Sequence, residues 1–195
     1  LGGVVDELGQ VHKTARRDTP KEGGAALTAA IAEVANELKA QFPVESVGVS
    51  AAGWVSSDRK TMLATPNISG WNGVNLDYEF TQLIGLPVVI ENDANSAAWG
   101  EARFGAAQGK QHVLLLTIGT GLGGGIVIDG KLHRGAFGIA AEVGHMRVVP
   151  DGLLCGCGAK GCFEQYGSGS ALMRHTREAI EANPDIAEKL LARGD

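Results

Sequence analysis

The residues best suited to chemistry lie between Glu142 and Glu164. One histidine precedes, by nine intervening residues, a group of three cysteines that spans eight positions. These four residues are His145, Cys155, Cys157 and Cys162. Three thiolates and one imidazole complete the tetrahedral coordination of zinc and leave no position open for water. The spacing therefore predicts a structural zinc site, with three free thiols in a reducing compartment as the alternative.

Two carboxylates bracket this metal segment, Glu142 three residues before the histidine and Glu164 two residues after the last cysteine. A rigid loop around the metal would hold both carboxylates in fixed orientations. Carboxylates held in this way accept hydrogen bonds from several hydroxyl groups at once, as recognition of a sugar requires. The spacing alone is also compatible with two solvated surface acids.

A second polar group follows a predicted buried strand, Leu86–Ile90. Glu91, Asn92 and Asp93 come directly after this strand and before a predicted helix of small residues, Ala94–Phe104. Ligands and catalytic groups gather beyond the carboxyl ends of strands in parallel α/β sheets, so this position suits chemistry. Asp93 could instead cap the helix, or Asn92 and Asp93 could divide the two roles.

A glycine-rich run, Gly119–Gly125, connects two predicted strands, His112–Ile118 and Ile126–Ile128. A dinucleotide-binding fingerprint would lead from a strand into a helix, and the spacing of a Walker loop is absent. What remains is a strand–turn–strand whose backbone N–H groups can approach a phosphate, with a hydroxyl from Thr120. The alternative is a glycine-rich hairpin that binds no ligand.

The composition restricts the classes of function. The chain has 195 residues, of which 44% are hydrophobic and 20% charged, and its net charge is -5. These values are typical of a globular protein of one or two domains. The sequence has no basic run that would bind nucleic acid and no apolar run long enough to span a membrane. We therefore expect a cytoplasmic protein that binds neither nucleic acid nor membrane.

The remaining segments predict an alternation of strands and helices. A hairpin is expected over residues 4–11, and Thr19–Glu22 has the pattern of a capping box that starts a helix. A helix capped by Ser168 or Ser170 is expected to run to Ala182. The polar residues 108–111 suggest a division into a first domain, 1–108, and a second, 109–195. The chain begins without methionine in what reads as a strand, so we expect it to be part of a longer protein.

Four motifs, in this order along the chain, resemble those of the ROK family of sugar kinases and sugar-responsive repressors. The motifs are Glu91–Asn95, Gly119–Gly125, Glu142–His145 and Cys155–Glu164. Together they look most like the bacterial ATP-dependent glucokinases of that family, and the likeness covers nearly the whole chain. The combination is specific because the metal cluster, the Asn–Asp pair and the glycine hairpin occur in the family's order.

The resemblance implies an α/β, actin-like (ribonuclease H-like) fold of two domains with a cleft between them. It also implies transfer of the γ-phosphate of Mg-ATP to the 6-hydroxyl of glucose, with Asp93 as the general base that accepts the hydroxyl proton. The sugar ligands would be Asn92, Asp93, Glu142, His145 and Glu164. The nucleotide phosphates would contact Gly119, Thr120 and Gly121. His145 and the three cysteines would hold a structural zinc ion, and Thr65 and Asn67 would line the sugar pocket.

The chain departs from the family pattern at both ends. The first strand with its Asp-x-Gly-Gly-Thr phosphate loop is absent, as is the carboxyl-terminal adenosine-binding segment, so we expect activity only of the complete protein. Two other functions stay open: a ROK-type repressor that binds sugar without catalysis, and a zinc-stabilised binding module. The motifs distinguish neither glucose from mannose, allose, N-acetylglucosamine or N-acetylmannosamine, nor ATP from polyphosphate. The family commonly forms homodimers or homotetramers.

Overall fold

A computed structural model describes residues 1–65 and 68–191, and these residues form an α/β structure, as predicted. Strands β1 to β10 span Gly2–Val5, Val11–Ala15, Val47–Ala51, Trp54–Val55, Thr61–Ala64, Val74–Asn75, Val88–Asn92, Val113–Ile118, Leu122–Ile128 and Lys131–His133. Helices α1 to α6 span Gly24–Lys39, Leu76–Ile84, Asp93–Phe104, Glu164–Gly167, Gly169–Ala182 and Asp185–Leu191. Among the helices of these two described ranges, none has both the length and the apolar character that a membrane span requires.

The strands pair in four groups. β1 and β2 form the antiparallel hairpin that the sequence predicts, and β4, β5 and β6 form a small antiparallel sheet. β3 and β7 are parallel, with Ala51 opposite Asn92 at the ends of the two strands. β8, β9 and β10 form a meander in which Asp129 and Gly130, both with positive φ, make the turn from β9 to β10. Asp-Gly is the residue pair that such a tight hairpin turn favours.

The chain forms two compact units. The first contains Leu1–Leu115 and Gly125–Ala141, and the second contains Leu116–Gly124 and the chain from Glu142 onward. The first unit thus includes the β7–α3 junction, and the second includes the glycine turn and the metal segment. The predicted division of the complete protein at residue 108 stays a prediction.

The core of the first unit lies around Trp71 and Phe80, whose rings meet edge to face with centroids 6.3 Å apart. Both side chains are fully buried, together with Ile90 from β7. The indole N–H of Trp71 donates to the carbonyl of Gly24 and to the hydroxyl of Thr28, both on α1. The polar end of a buried tryptophan needs such a partner. Trp71 therefore ties the first turn of α1 to the core.

The start of α1 differs from the prediction. The helix begins at Gly24 and not at the Thr19–Glu22 capping box, and its N-cap residue Gly23 has a φ of 87° and no side-chain cap. A Cβ on Gly23 would lie 2.8 Å from the carbonyl oxygen of Ser69, and the N–H of Gly24 donates to that same oxygen. Close packing against a distant loop thus fixes the first turn, and a local capping signal did not reveal this.

The other predicted helices and strands are largely confirmed. The helix expected after Ser168 is α5, and the Ser168 hydroxyl caps it by accepting from the N–H of Ala171. The glycine run was expected to be a connection, but Gly123–Gly125 belong to strand β9. A Cβ on Gly125 would lie 2.5 Å from the Cβ of Ala98 in α3. Glycine at this position lets the strand approach the helix.

Candidate functional site

The β7–α3 junction of the first unit presents Asn92 and Asp93 at the carboxyl end of β7. Asn92 is the N-cap of α3: its Oδ1 accepts from the N–H of Asn95, and its Nδ2 donates to the carbonyl of Gly53, just beyond β3. Asp93 is the first helical residue, and its Oδ1 accepts from Asn92 Nδ2 and from the N–H of Ala94. Because Asn92 caps the helix, the exposed carboxylate of Asp93 is not needed for that task.

Glu91 anchors this junction from the strand side. Its Oε2 accepts from Arg134 Nε at 2.7 Å, and its Oε1 accepts from the N–H of Asn92 and from Nδ2 of the buried Asn95. The side chains of Arg134 and Glu91 are 28% and 14% exposed. An ion pair this sheltered is screened less than a surface pair. The network fixes the backbone from which Asn92 and Asp93 project.

Thr65 and Asn67, the two predicted pocket-lining residues, follow β5 in the sequence. Thr65 is buried, and its N–H donates to Oδ1 of Asn72 at 2.8 Å. Among the described residues, its Oγ1 has no hydrogen-bond partner. Asn67 lies outside the described residues. Pocket lining by Thr65 and Asn67 stays a prediction.

In the second unit, the glycine turn joins β8 to β9. The N–H of Gly119 donates to the carbonyl of Gly121 at 3.0 Å, which closes the turn, and Thr120 is exposed at its tip. The turn contacts the segments around the metal ligands: Leu122 N–H donates to Glu164 Oε2 at 2.9 Å. The predicted sugar ligand Glu164 therefore also holds the backbone of the predicted phosphate turn.

The four predicted metal ligands come together in the second unit. The side-chain donor atoms of His145, Cys155, Cys157 and Cys162 all lie within 4.8 Å of one another. The Sγ atoms of Cys157 and Cys162 are 3.7 Å apart, and Cys155 Sγ is 3.6 Å from His145 Nδ1. Ordinary zinc bond lengths give tetrahedral edges of about 3.8 Å between two sulfurs and about 3.6 Å between sulfur and nitrogen. The donor set therefore fits a zinc ion.

The metal segment folds back on itself through backbone hydrogen bonds. Cys155 N–H donates to the carbonyl of Ala159, and Gly158 N–H donates to the carbonyl of Cys155. Burial, followed by the neighbouring thiols of Cys155 and Cys157, raises the pKa of the Cys162 thiol to about 11. Hydrogen bonding to the backbone at Ala159 lowers the pKa of Cys157. A bound cation would favour the thiolate form of every cysteine in the group.

The two ring nitrogens of His145 lie near different groups. His145 closes a short 3₁₀ turn, Val143–His145, and its Nδ1 lies toward Cys155. Its Nε2 lies 3.8 Å from Glu142 Oε2. One ring nitrogen thus belongs to the metal group while the other points toward a carboxylate predicted to bind sugar.

Sequence reasoning missed several residues that hold these groups. Arg134 lies in no motif, Gly144 lies within the Glu142–His145 motif but had no role of its own, and Gly169 reads as an ordinary small residue. Gly169 N–H donates to the carbonyl of Gly119 at 2.7 Å, and a Cβ on Gly144 would lie 2.1 Å from the carbonyl oxygen of Leu122. These contacts join segments far apart in sequence, so no local pattern could have indicated them.

Comparison with known proteins gives a consistent result. The profile of the ROK family matches residues 2–192. A glucokinase of Streptomyces coelicolor is 50% identical over 193 residues, which are 99% of this chain and 60% of that protein. The chain thus spans less than two thirds of the length of this curated relative.

Two solved structures have the same fold. One is a ROK family glucokinase from Streptomyces griseus in complex with glucose and AMPPNP, with 52% identity, a TM-score of 0.85, and coverage of 99% of this chain and 61% of that one. The other is a ROK hexokinase from Thermus thermophilus, with 37% identity, a TM-score of 0.80, and coverage of 92% and 60%. The predicted actin-like sugar kinase fold is confirmed. The chain belongs to the ROK family.

Proposed function

We propose that the complete protein transfers the γ-phosphate of ATP to the 6-hydroxyl of glucose, with Asp93 as the general base. The observation that carries this proposal is the division of roles at the β7–α3 junction. Asn92 caps the helix, and the Asp93 carboxylate is exposed at the carboxyl end of a parallel strand. The similarity to a solved ROK glucokinase that binds glucose and AMPPNP supports the same substrates here.

The chemistry needs a proton acceptor and stabilisation of charge. A sugar hydroxyl is a poor nucleophile, so a carboxylate within hydrogen-bond reach accepts its proton as the oxygen attacks the γ-phosphorus. The turn Gly119–Gly121 contacts the phosphates through its backbone and the Thr120 hydroxyl, while the N–H of Gly119 closes the turn itself, and magnesium accompanies the ATP. The transition state then requires positioning and neutralisation of charge more than covalent chemistry.

The sugar is held by hydroxyl contacts to Asn92, Glu142, His145 and Glu164 as well as to Asp93. Carboxylates accept from hydroxyl groups, whereas an amide and an imidazole can both donate and accept. We propose zinc as the ion held by His145 and the three cysteines. It is structural: four protein ligands leave no site for water, so the ion fixes the segment that carries Glu142 and Glu164. The resemblance to the family supports a cytoplasmic homodimer or homotetramer.

The direct test is ADP release by the complete protein with Mg-ATP and a panel of hexoses. We expect glucose-dependent turnover that is lost in Asp93→Ala. Asp77→Ala is the matched control, because Asp77 is an aspartate in the first turn of α2, and its turnover should equal that of the wild type. Wild-type protein that binds glucose and zinc but releases no ADP with any hexose would favour the sugar-sensing repressor instead.

A further inference from the structure

The glycine turn of the second unit is held at three points by the segments that surround the metal ligands. Glu164 Oε2 accepts from Leu122 N–H, and the carbonyl of Gly119 accepts from Gly169 N–H. The third contact is steric: a Cβ on Gly144 would lie 2.1 Å from the Leu122 carbonyl oxygen. Of the three, only Glu164 is also proposed to touch the sugar.

The Glu164 carboxylate also lies directly against Gly121. A Cβ added to Gly121 would lie 2.5 Å from Glu164 Oε2, although the φ of Gly121 is not in the left-handed region. A side chain at this position would therefore displace the Glu164 carboxylate, so the constraint concerns space and not backbone conformation. Gly119, in the same turn, differs in this respect, since a Cβ on it would have no atom within 4 Å.

We propose that Glu164 is a positioning residue for the phosphate turn as well as a sugar ligand, so that glucose and the nucleotide phosphates bind cooperatively through this one carboxylate. The inference rests on the proposed function. Oε2 accepts from the Leu122 N–H, and in this proposal Oε1 accepts from the sugar hydroxyl. A sugar bound to Oε1 restricts rotation of the carboxylate, and this orders the turn before the nucleotide arrives. By thermodynamic linkage, the bound nucleotide must then raise the affinity for glucose by the same factor.

The first test measures Mg-AMPPNP affinity of the complete protein by calorimetry without sugar. Glu164→Ala removes the acceptor of Leu122 N–H and should weaken AMPPNP binding about tenfold, since a hydrogen bond to a charged group is worth about one such factor or more. Glu164→Gln retains an acceptor oxygen and should restore most of this affinity. AMPPNP affinity that is unchanged in both variants would show that Glu164 serves the sugar alone.

The second test measures the reverse effect, that of the phosphate turn on glucose binding. It uses substitutions at two glycines of this turn. Glucose affinity is measured without nucleotide for Gly121→Ala and Gly119→Ala. The Gly121 variant displaces the Glu164 carboxylate and should weaken glucose binding about tenfold, the worth of one strong hydrogen bond. The Gly119 variant, whose added Cβ meets no atom within 4 Å and does not touch Glu164, should weaken glucose binding far less. Equal glucose affinities in the two variants would overturn the coupling.

The two proposals fail in different ways. Wild-type protein that binds neither glucose nor AMPPNP would overturn the proposed function and the coupling with it. Wild-type protein that binds both ligands, with each substitution affecting only the ligand at its own site, would overturn the coupling alone. Thermal unfolding of each variant identifies a loss of affinity that comes from a loss of folded protein.

Discussion

The ion pair between Arg134 and Glu91 allows a quantitative prediction for the junction that carries Asp93. Arg134→Met keeps much of the aliphatic side chain and removes the charge. Breaking a fully buried ion pair costs about 3–5 kcal/mol, whereas an exposed pair contributes about 0–1 kcal/mol. The side chains here are 28% and 14% exposed, and Glu91 keeps its bonds to Asn92 and Asn95. We therefore expect a loss of about 2 kcal/mol in the free energy of unfolding, between these limits.

The assay is urea and thermal unfolding followed by tryptophan fluorescence. Trp54, Trp71 and Trp99 all lie in the first unit, as do Arg134 and Glu91, so the signal reports the unit in question. A loss of about 2 kcal/mol corresponds to a fall of about 4–8 °C in Tm for a chain of this size.

The matched control for this substitution is Arg17→Met. Arg17 pairs with Glu37 in the same unit, but these side chains are 46% and 37% exposed. We expect this control to lose at most about 1 kcal/mol. Equal destabilisation by the two substitutions would refute the reasoning. It would mean that the lower exposure of the Arg134–Glu91 pair does not increase its contribution to the free energy of unfolding.

Three further predictions concern the caps, the turn and the metal. Asn92→Ala should cost about 1 kcal/mol in the same unfolding assay because it removes the acceptor of the Asn95 N–H; a variant as stable as the wild type would contradict the cap. Gly144→Ala should cost about 2 kcal/mol or more because its Cβ meets a backbone carbonyl, measured by circular dichroism during heating; a variant as stable as the wild type would contradict the close contact. Cys162→Ser should reduce the zinc content of purified protein to near zero, measured by elemental analysis; unchanged zinc would exclude the proposed ligand set.

The local signals in the sequence predicted most of the elements that position the site. The hairpin β1–β2, the Ser168 cap and the β7–α3 junction all follow from residues that lie next to one another. The clustering of the four proposed metal ligands was also predictable, since three cysteines within eight positions leave little freedom in a short loop. These features depend on turn chemistry, capping and chain length, which are properties of a short segment.

The contacts that join distant segments were not predictable. The first turn of α1 is fixed by Ser69 and Trp71, not by the local capping box. In the same way, Arg134 reaches Glu91 from 43 residues away, and Glu164 reaches Leu122 from 42 residues away. No local periodicity indicates such pairs, because tertiary packing and not the neighbouring sequence brings the two residues together.

The measurement that tests the central claim most directly compares turnover and glucose affinity in Asp93→Asn. Asparagine keeps an acceptor oxygen for the N–H of Ala94, so the junction should stay intact while the proton acceptor is removed. If Asp93 is the general base, kcat should fall about 10²–10⁴-fold. We expect the dissociation constant for glucose to change much less than kcat, because asparagine keeps an acceptor oxygen for the sugar hydroxyl. Turnover within a few-fold of the wild type would contradict the assignment of Asp93 as the base.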